Sequence, residues 1–241
     1  MTALSTAIRA RSQVDAAWRI VKRWEGMFGG GGGDGSLGVY GSLRRKDTEA
    51  ILASMHLESN SNLLDVGSGL GIPLMLALLI HGVARAKGVE INRCTWLKSK
   101  PLCQAVAHRF RLPMPRLVHG DAARMRTLGR ATHVLAVWEG WARADQEAVA
   151  ALFNASRTAC CITVVHSRRH HQRGDVGAYI ASLGFVGLQP APTFERSVKC
   201  GRTTLAAFTF VKASSDVSAG RAQARSGRPR PRATTAPEMW R

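Results

Sequence analysis

The stretch from 62 to 71, Asn-Leu-Leu-Asp-Val-Gly-Ser-Gly-Leu-Gly, constrains this chain more than any other. Two leucines and an acid run into three glycines at Gly67, Gly69 and Gly71, and an apolar run from 72 to 80 follows. That order reads as a buried strand that ends, turns sharply and enters a helix. Glycine at such a turn lets backbone approach a ligand where a Cβ would collide. The helix N-terminus beyond it offers unpaired N–H groups to polar ligand atoms. Turns of this kind serve dinucleotides, phosphates and other nucleoside ligands alike, so the loop alone specifies a ligand site without its ligand.

The neighbouring acids narrow the choice. Asp65 sits just before the loop, and the next expected strand, 86–91, carries Glu90 near its end. A spacing of roughly 20 residues suits a carboxylate that accepts hydrogen bonds from ribose hydroxyls. A third strand at 116–119 leads into Gly120-Asp121-Ala122, which places an acid to meet an adenine amino group. The dinucleotide fingerprint G-x-G-x-x-G is not met, because the third glycine comes one residue early.

Strand and helix alternate through the core. Strands are expected at 62–67, 86–91, 116–119, 132–138, 159–166, 184–189 and 204–211, and helices at about 45–55 and at 72–83, 93–110, 144–155 and 174–183. This rhythm predicts an α/β fold, a seven-stranded, mostly parallel twisted sheet with helices on both faces. No helical pattern fills 190–203, so the last two strands should pair as a C-terminal antiparallel hairpin.

Four segments are expected. An N-terminal amphipathic helix at 1–28 carries Val14, Trp18, Val21, Trp24 and Phe28 near helical spacing among arginines. It reads either as a helix packed on the domain or, being arginine-rich and poor in acids, as a mitochondrial or plastid presequence. A glycine-rich linker spans 29–38, the catalytic domain 39–212, and a disordered basic tail of Arg, Ser, Pro and Ala 213–241. The net charge is +18; the segments 1–35 and 213–241 contribute +2 and +4, which leaves +12 on the remainder. A field of that size attracts polyanions, nucleic acid above all. Five cysteines without a C-x-x-C pair point to a reducing, intracellular compartment. No run reaches the roughly 18 apolar residues of a membrane span. The histidines of 166–171 lack a spaced acid or cysteine, so no metal site is expected.

With these residues in view, the chain resembles the class I S-adenosylmethionine-dependent methyltransferases. Asp65-Val66-Gly67-Ser68-Gly69-Leu70-Gly71 is similar to that family's glycine loop, Glu90 to its ribose-binding acid and Asp121, with Ala122, to its adenine side. Within it, Tyr40-Gly41, the glycine loop and Gly88-Val89-Glu90-Ile91 resemble the non-SET histone lysine methyltransferases of the disruptor-of-telomeric-silencing (Dot1) type, over roughly 39–170. The resemblance implies that Tyr40 closes over the cofactor, and that basic segments outside the catalytic fold hold DNA. After the fourth strand that family carries asparagines and a phenylalanine. Here the chain reads Trp138-Glu139-Gly140-Trp141, with Trp138 where a cofactor-side asparagine is expected.

Methyl transfer from a sulfonium needs a positioned, deprotonated acceptor in a dry channel. Trp138 and Trp141 are expected to wall that channel, and Glu139 to accept the acceptor's proton. The resulting expectation is a monomeric, nuclear protein lysine methyltransferase that acts on a histone, with nucleosomal DNA held by the basic surface and tail. The alternatives are an RNA methyltransferase, although no D/N-P-P-[Y/F] motif stands at 138–141, and a mitochondrial protein lysine methyltransferase. A further alternative is a non-catalytic nucleic-acid-binding module on a degenerate fold of this class.

Overall fold

A computed structural model describes residues 3–28, 42–168 and 175–213. The elements run α1 (Ala3–Phe28), α2 (Arg45–Ser54), β1 (Asn62–Val66), α3 (Ile72–Leu76), β2 (Arg85–Glu90), α4 (Arg93–Phe110), β3 (Arg116–His119), β4 (His133–Val137), α5 (Arg143–Ala155), β5 (Cys161–His166), α6 (Val176–Ser182), β6 (Phe194–Cys200) and β7 (Thr203–Val211). The helix after the glycine loop changes to a π-helical turn at Ala77–His81, and a 3-10 turn at Ala122–Arg124 follows β3. Tyr40, the 29–38 linker, His170 and His171, and the tail beyond Ala213 lie outside the described residues.

One seven-stranded sheet has the order β3-β2-β1-β4-β5-β7-β6. The first five strands pair parallel, and β7 pairs antiparallel with both β5 and β6. The expected α/β architecture with its C-terminal hairpin is therefore present. Side chains alternate between the faces, as a pleated strand requires. Leu63, Leu135, Val165 and Leu205 enter one core with α1, α2, α3 and α4. Leu64, Val134, Ala136, Ile162, Val164 and Phe208 enter the other with α5 and α6. In α5 the buried positions are Gln146, Val149, Ala150 and Phe153, a helical spacing that turns one stripe inward.

One strand expectation needs correction. The sixth strand is Phe194–Cys200, not 184–189, although the hairpin with the last strand is as expected. The polar sequence of β6 suits an edge strand, with Glu195, Arg196 and Ser197 exposed and Val198 and Cys200 buried. The apolar Phe185 instead caps the second core from a loop, and Leu188 makes only an isolated bridge to Lys212.

Helix α1 lies on the sheet's first core. Val14, Ala17 and Val21 are buried, Trp18 and Trp24 pack against that core, and Phe28 is exposed. Asp15 pairs with Arg45 of α2. Helix α2 is tied in turn to β6: Asp47 accepts from the Lys199 N–H at 2.9 Å, and Leu43 bridges Cys200. These links hold the Ser42–Leu43 segment at the mouth of the cleft described next.

Candidate functional site

The C-terminal ends of β1, β2, β3 and β4 open into a cleft of about 360 Å³. In parallel sheets with helical crossovers this is where ligands bind, since the loops there diverge to opposite faces. The glycine loop forms the floor. Gly67, Gly69 and Gly71 all have positive φ, at 76°, 53° and 77°. The Gly67 and Ser68 N–H groups donate to the Val89 carbonyl at 2.8 and 3.0 Å, which clamps the loop over β2. Gly88 makes that closeness possible, because a Cβ there would lie 2.5 Å from Ser68 Oγ and 2.8 Å from Leu74 Cδ1.

Glu90 joins loop and strand. It is 6% exposed, and its Oε2 accepts from the Gly69 N–H at 2.8 Å while Oε1 accepts from the Asn92 N–H at 2.8 Å. A carboxylate has about four lone-pair sites, so roughly two stay available to a bound hydroxyl pair. Asp121 caps the 3-10 turn, accepting from the Ala123 N–H at 2.9 Å, with Arg124 at 3.4 Å. Ala122 and Ala123 line the cleft beside it.

Asp65 is 2% exposed, lines the cleft, and accepts no hydrogen bond to its side chain among the described residues. Burial, and then the negative charge of Glu90, push its carboxyl up to about 8. Near neutral pH it therefore carries a proton that an arriving cation would displace.

The 138–141 segment divides in a way the sequence expectation did not foresee. Trp141 lines the cleft, and its Cζ2 would lie 3.2 Å from a Cβ on Gly67. Trp138 does not. It is fully buried in the second core near His166 and Phe185, and its Nε1 has no hydrogen-bond partner among the described residues. Strand alternation is the reason, since Val134, Ala136 and Trp138 share a parity while Val137 faces the cleft. Glu139 also departs from its expected place. It is absent from the cleft lining and accepts from the Ser167 N–H at the end of β5.

Asp145, in the first turn of α5, is the carboxylate that sequence reasoning missed. It lines the cleft together with Gly140, Trp141 and Ala142. Its place at the start of the helix expected at 144–155, just beyond Trp141, was the available signal. Four acids thus line the cleft, Asp65, Glu90, Asp121 and Asp145, and no described lysine, arginine or histidine does.

The chain matches no protein-family model and no curated protein. Its fold is similar to solved structures of low sequence identity. A candidate RNA methyltransferase from Pyrococcus horikoshii matches with a TM-score of 0.55 at 13% identity, covering 86% of this chain and 97% of that one. A SAM-dependent methyltransferase from Thiobacillus denitrificans, in complex with S-adenosyl-L-homocysteine, matches with a TM-score of 0.52 at 13% identity over 71% and 92%. TrmN from Thermus thermophilus matches with a TM-score of 0.50 at 16% identity over 69% of this chain, which spans about half of TrmN's length, 48%. The sheet and its C-terminal hairpin are thus a methyltransferase fold.

Proposed function

We propose that this protein is an S-adenosylmethionine-dependent methyltransferase whose acceptor is RNA. The observation that carries the cofactor is the cleft's lining, which pairs a glycine loop with four acids and no basic group. A phosphate-bearing dinucleotide would find no cationic side chain to pair with there, whereas a sulfonium nucleoside with a free ammonium is cationic and has no phosphate. The complex of the Thiobacillus denitrificans structure with S-adenosyl-L-homocysteine supports the same ligand.

S-adenosylmethionine, when bound, supplies the methyl group as an electrophile. This chain's residues do the rest. Glu90, oriented by the Gly69 and Asn92 N–H groups, accepts from the ribose hydroxyls. Asp121 meets the adenine amino group. Asp65 takes up negative charge as its proton leaves and faces the cationic end. Of the two tryptophans expected to wall the acceptor channel only Trp141 lines the cleft, and Asp145 takes the role expected of Glu139. Trp141 offers a face to a flat acceptor, and Asp145 accepts a hydrogen bond from an acceptor N–H.

RNA is favoured over the histone lysine reading by the likeness to the candidate RNA methyltransferase, aligned over 97% of its length, together with the basic charge of the chain. The Dot1-like asparagines are missing at 138–141, and Tyr40-Gly41 remains the motif on the histone side. Transfer of radiolabelled methyl from S-adenosylmethionine to total RNA, nucleosomes and free histones tests the choice. Label in RNA that falls at least tenfold with Glu90→Ala is expected, and label confined to histones would reverse the assignment.

A further inference from the structure

The positive charge outside the cleft is concentrated on one flank. Between Arg85 and Ala131 the chain has eleven lysines and arginines but only two acids, Glu90 and Asp121, and both acids line the cleft. These residues build β2, the edge strand β3, helix α4 and the 3-10 turn after β3.

Elsewhere several cations sit against acids: Arg45 with Asp15 and Glu49, Arg143 with Glu147, Arg168 with Glu195, and Arg196 near Asp47. On the flank Arg124 lies 3.4 Å from Asp121. Arg93, Lys100, Arg109, Arg111 and Arg116 are exposed and have no acidic partner among the described residues. Helix α4 has 18 residues, about 27 Å long at the usual rise, so this array reaches from the cleft mouth at Arg93 to the far end at Arg109 and Arg111.

One further observation indicates what the array meets. The flank also carries stacking and apolar surface: Trp96 and exposed His119 lie with ring centroids 5.4 Å apart, Lys100 sits 3.6 Å from the Trp96 ring, and Leu97 and Met114 are exposed. Cations interleaved with ring faces suit a single-stranded or looped nucleic acid better than an acidic peptide.

We propose that this α4–β3 flank is the track that holds the phosphate backbone of the RNA whose base enters the cleft. The inference rests on the RNA reading above and adds to it a surface and a direction of approach. Phosphates lie along α4 from Arg109 and Arg111 toward Arg93, and the strand then turns into the cleft past Gly120 and Trp141.

The test uses the full chain and a fluorescein-labelled, partly looped RNA, with anisotropy read across a salt series and no methyl transfer required. The flank variant is Arg109→Gln/Arg111→Gln/Arg116→Gln. The control, Arg143→Gln/Arg168→Gln/Arg196→Gln, removes the same net charge from the other side. S-adenosylhomocysteine affinity serves as the fold check for both. The flank variant is expected to weaken RNA binding at least tenfold and to lower the log–log salt slope by about 2, at roughly 0.7 per lost phosphate contact. The control should change either quantity far less. Equal loss in both variants would overturn the track, since the whole molecule's charge would then be enough. Displacement of the RNA by poly-L-glutamate of matched charge would overturn it in favour of an acidic protein. Absence of methyl transfer to RNA by the unaltered protein would count against the functional reading alone, because the binding measurement does not depend on turnover.

Discussion

Asp65 and Glu90 are two buried carboxyls facing one cleft, and their coupling makes ligand binding and stability depend on pH in a definite direction. Burial and the Glu90 charge raise the Asp65 pKa from 3.8 in a model peptide to about 8 in the fold. A raised acid pKa gives stability that is fully present below about 4 and is lost as pH rises through 8. Asp65→Asn should therefore raise the melting temperature above pH 8 relative to the unaltered protein, and flatten its pH dependence between 4 and 8. A cationic ligand favours the ionised form, so binding S-adenosylmethionine near pH 7 should release close to one proton. Calorimetry in two buffers of different ionisation enthalpy measures that proton, and its absence would remove Asp65 from the cationic end of the site. Gly88 gives a second residue-scale expectation. A Cβ at that position would strike Ser68 and Leu74, so Gly88→Ala should cost about 1–3 kcal/mol and weaken cofactor binding by lifting the loop off β2. Trp138 and Trp141 give a matched pair: Trp138→Phe should leave cofactor affinity within about twofold, while Trp141→Ala should lower methyl transfer at least tenfold. The sequence pattern placed Gly67, Glu90 and Asp121 at the cleft because each follows a strand end at a fixed spacing. It misplaced Trp138 because composition does not say which parity of β4 faces the ligand, a choice made by packing against α5, and it misplaced Glu139 because the chain turns at 139–140 and the Ser167 N–H engages that carboxylate.

At the scale of elements, α1 is more than an appendage. Its buried Val14, Ala17 and Val21 belong to the same apolar cluster as Leu102, Cys103 and Val106 of α4, and Asp15 ties it to α2. Val21→Asp would place a carboxylate at a site that is 3% exposed, with an expected loss on the order of 2–4 kcal/mol, readable by urea unfolding. A midpoint unchanged by that substitution would mean the helix leaves the domain in solution, as a cleavable presequence would. The alternation of strand and amphipathic helix was legible from β1 through β5, because the central strands β1, β4 and β5, buried on both faces, are largely apolar runs. Beyond β5 the signal weakened. The edge strand β6 reads Phe-Glu-Arg-Ser-Val-Lys-Cys, and an edge needs only one apolar side, so the apolar residues at 185–188 looked more strand-like than the true strand. What holds β6 in place is long-range: the Lys199 N–H bonded to Asp47, and the Leu43–Cys200 bridge. Neither contact leaves a local trace.

For the molecule as a whole, the charge is partitioned: an acidic cleft is set into a strongly basic body. Two ligands should therefore respond to salt to very different degrees. S-adenosylhomocysteine meets the cleft mainly through hydrogen bonds to Glu90 and the glycine loop, at short range and largely out of solvent, where screening is weak. Its affinity should change by less than about threefold between low and high salt. RNA meets the body through phosphates and exposed cations, which release counterions on pairing, so its affinity should fall steeply over the same range. Paired titrations of both ligands in one salt series separate the two surfaces without any mutation. If both affinities fell together, the cofactor would be held by the long-range field rather than by the cleft, and the roles given to Glu90 and Gly69 would fail. If neither fell, the cations of the α4–β3 flank would be contacting no phosphate. The expected divergence follows from where the acids sit: Asp65, Glu90, Asp121 and Asp145 line the same cleft, which leaves the α4–β3 flank almost wholly cationic.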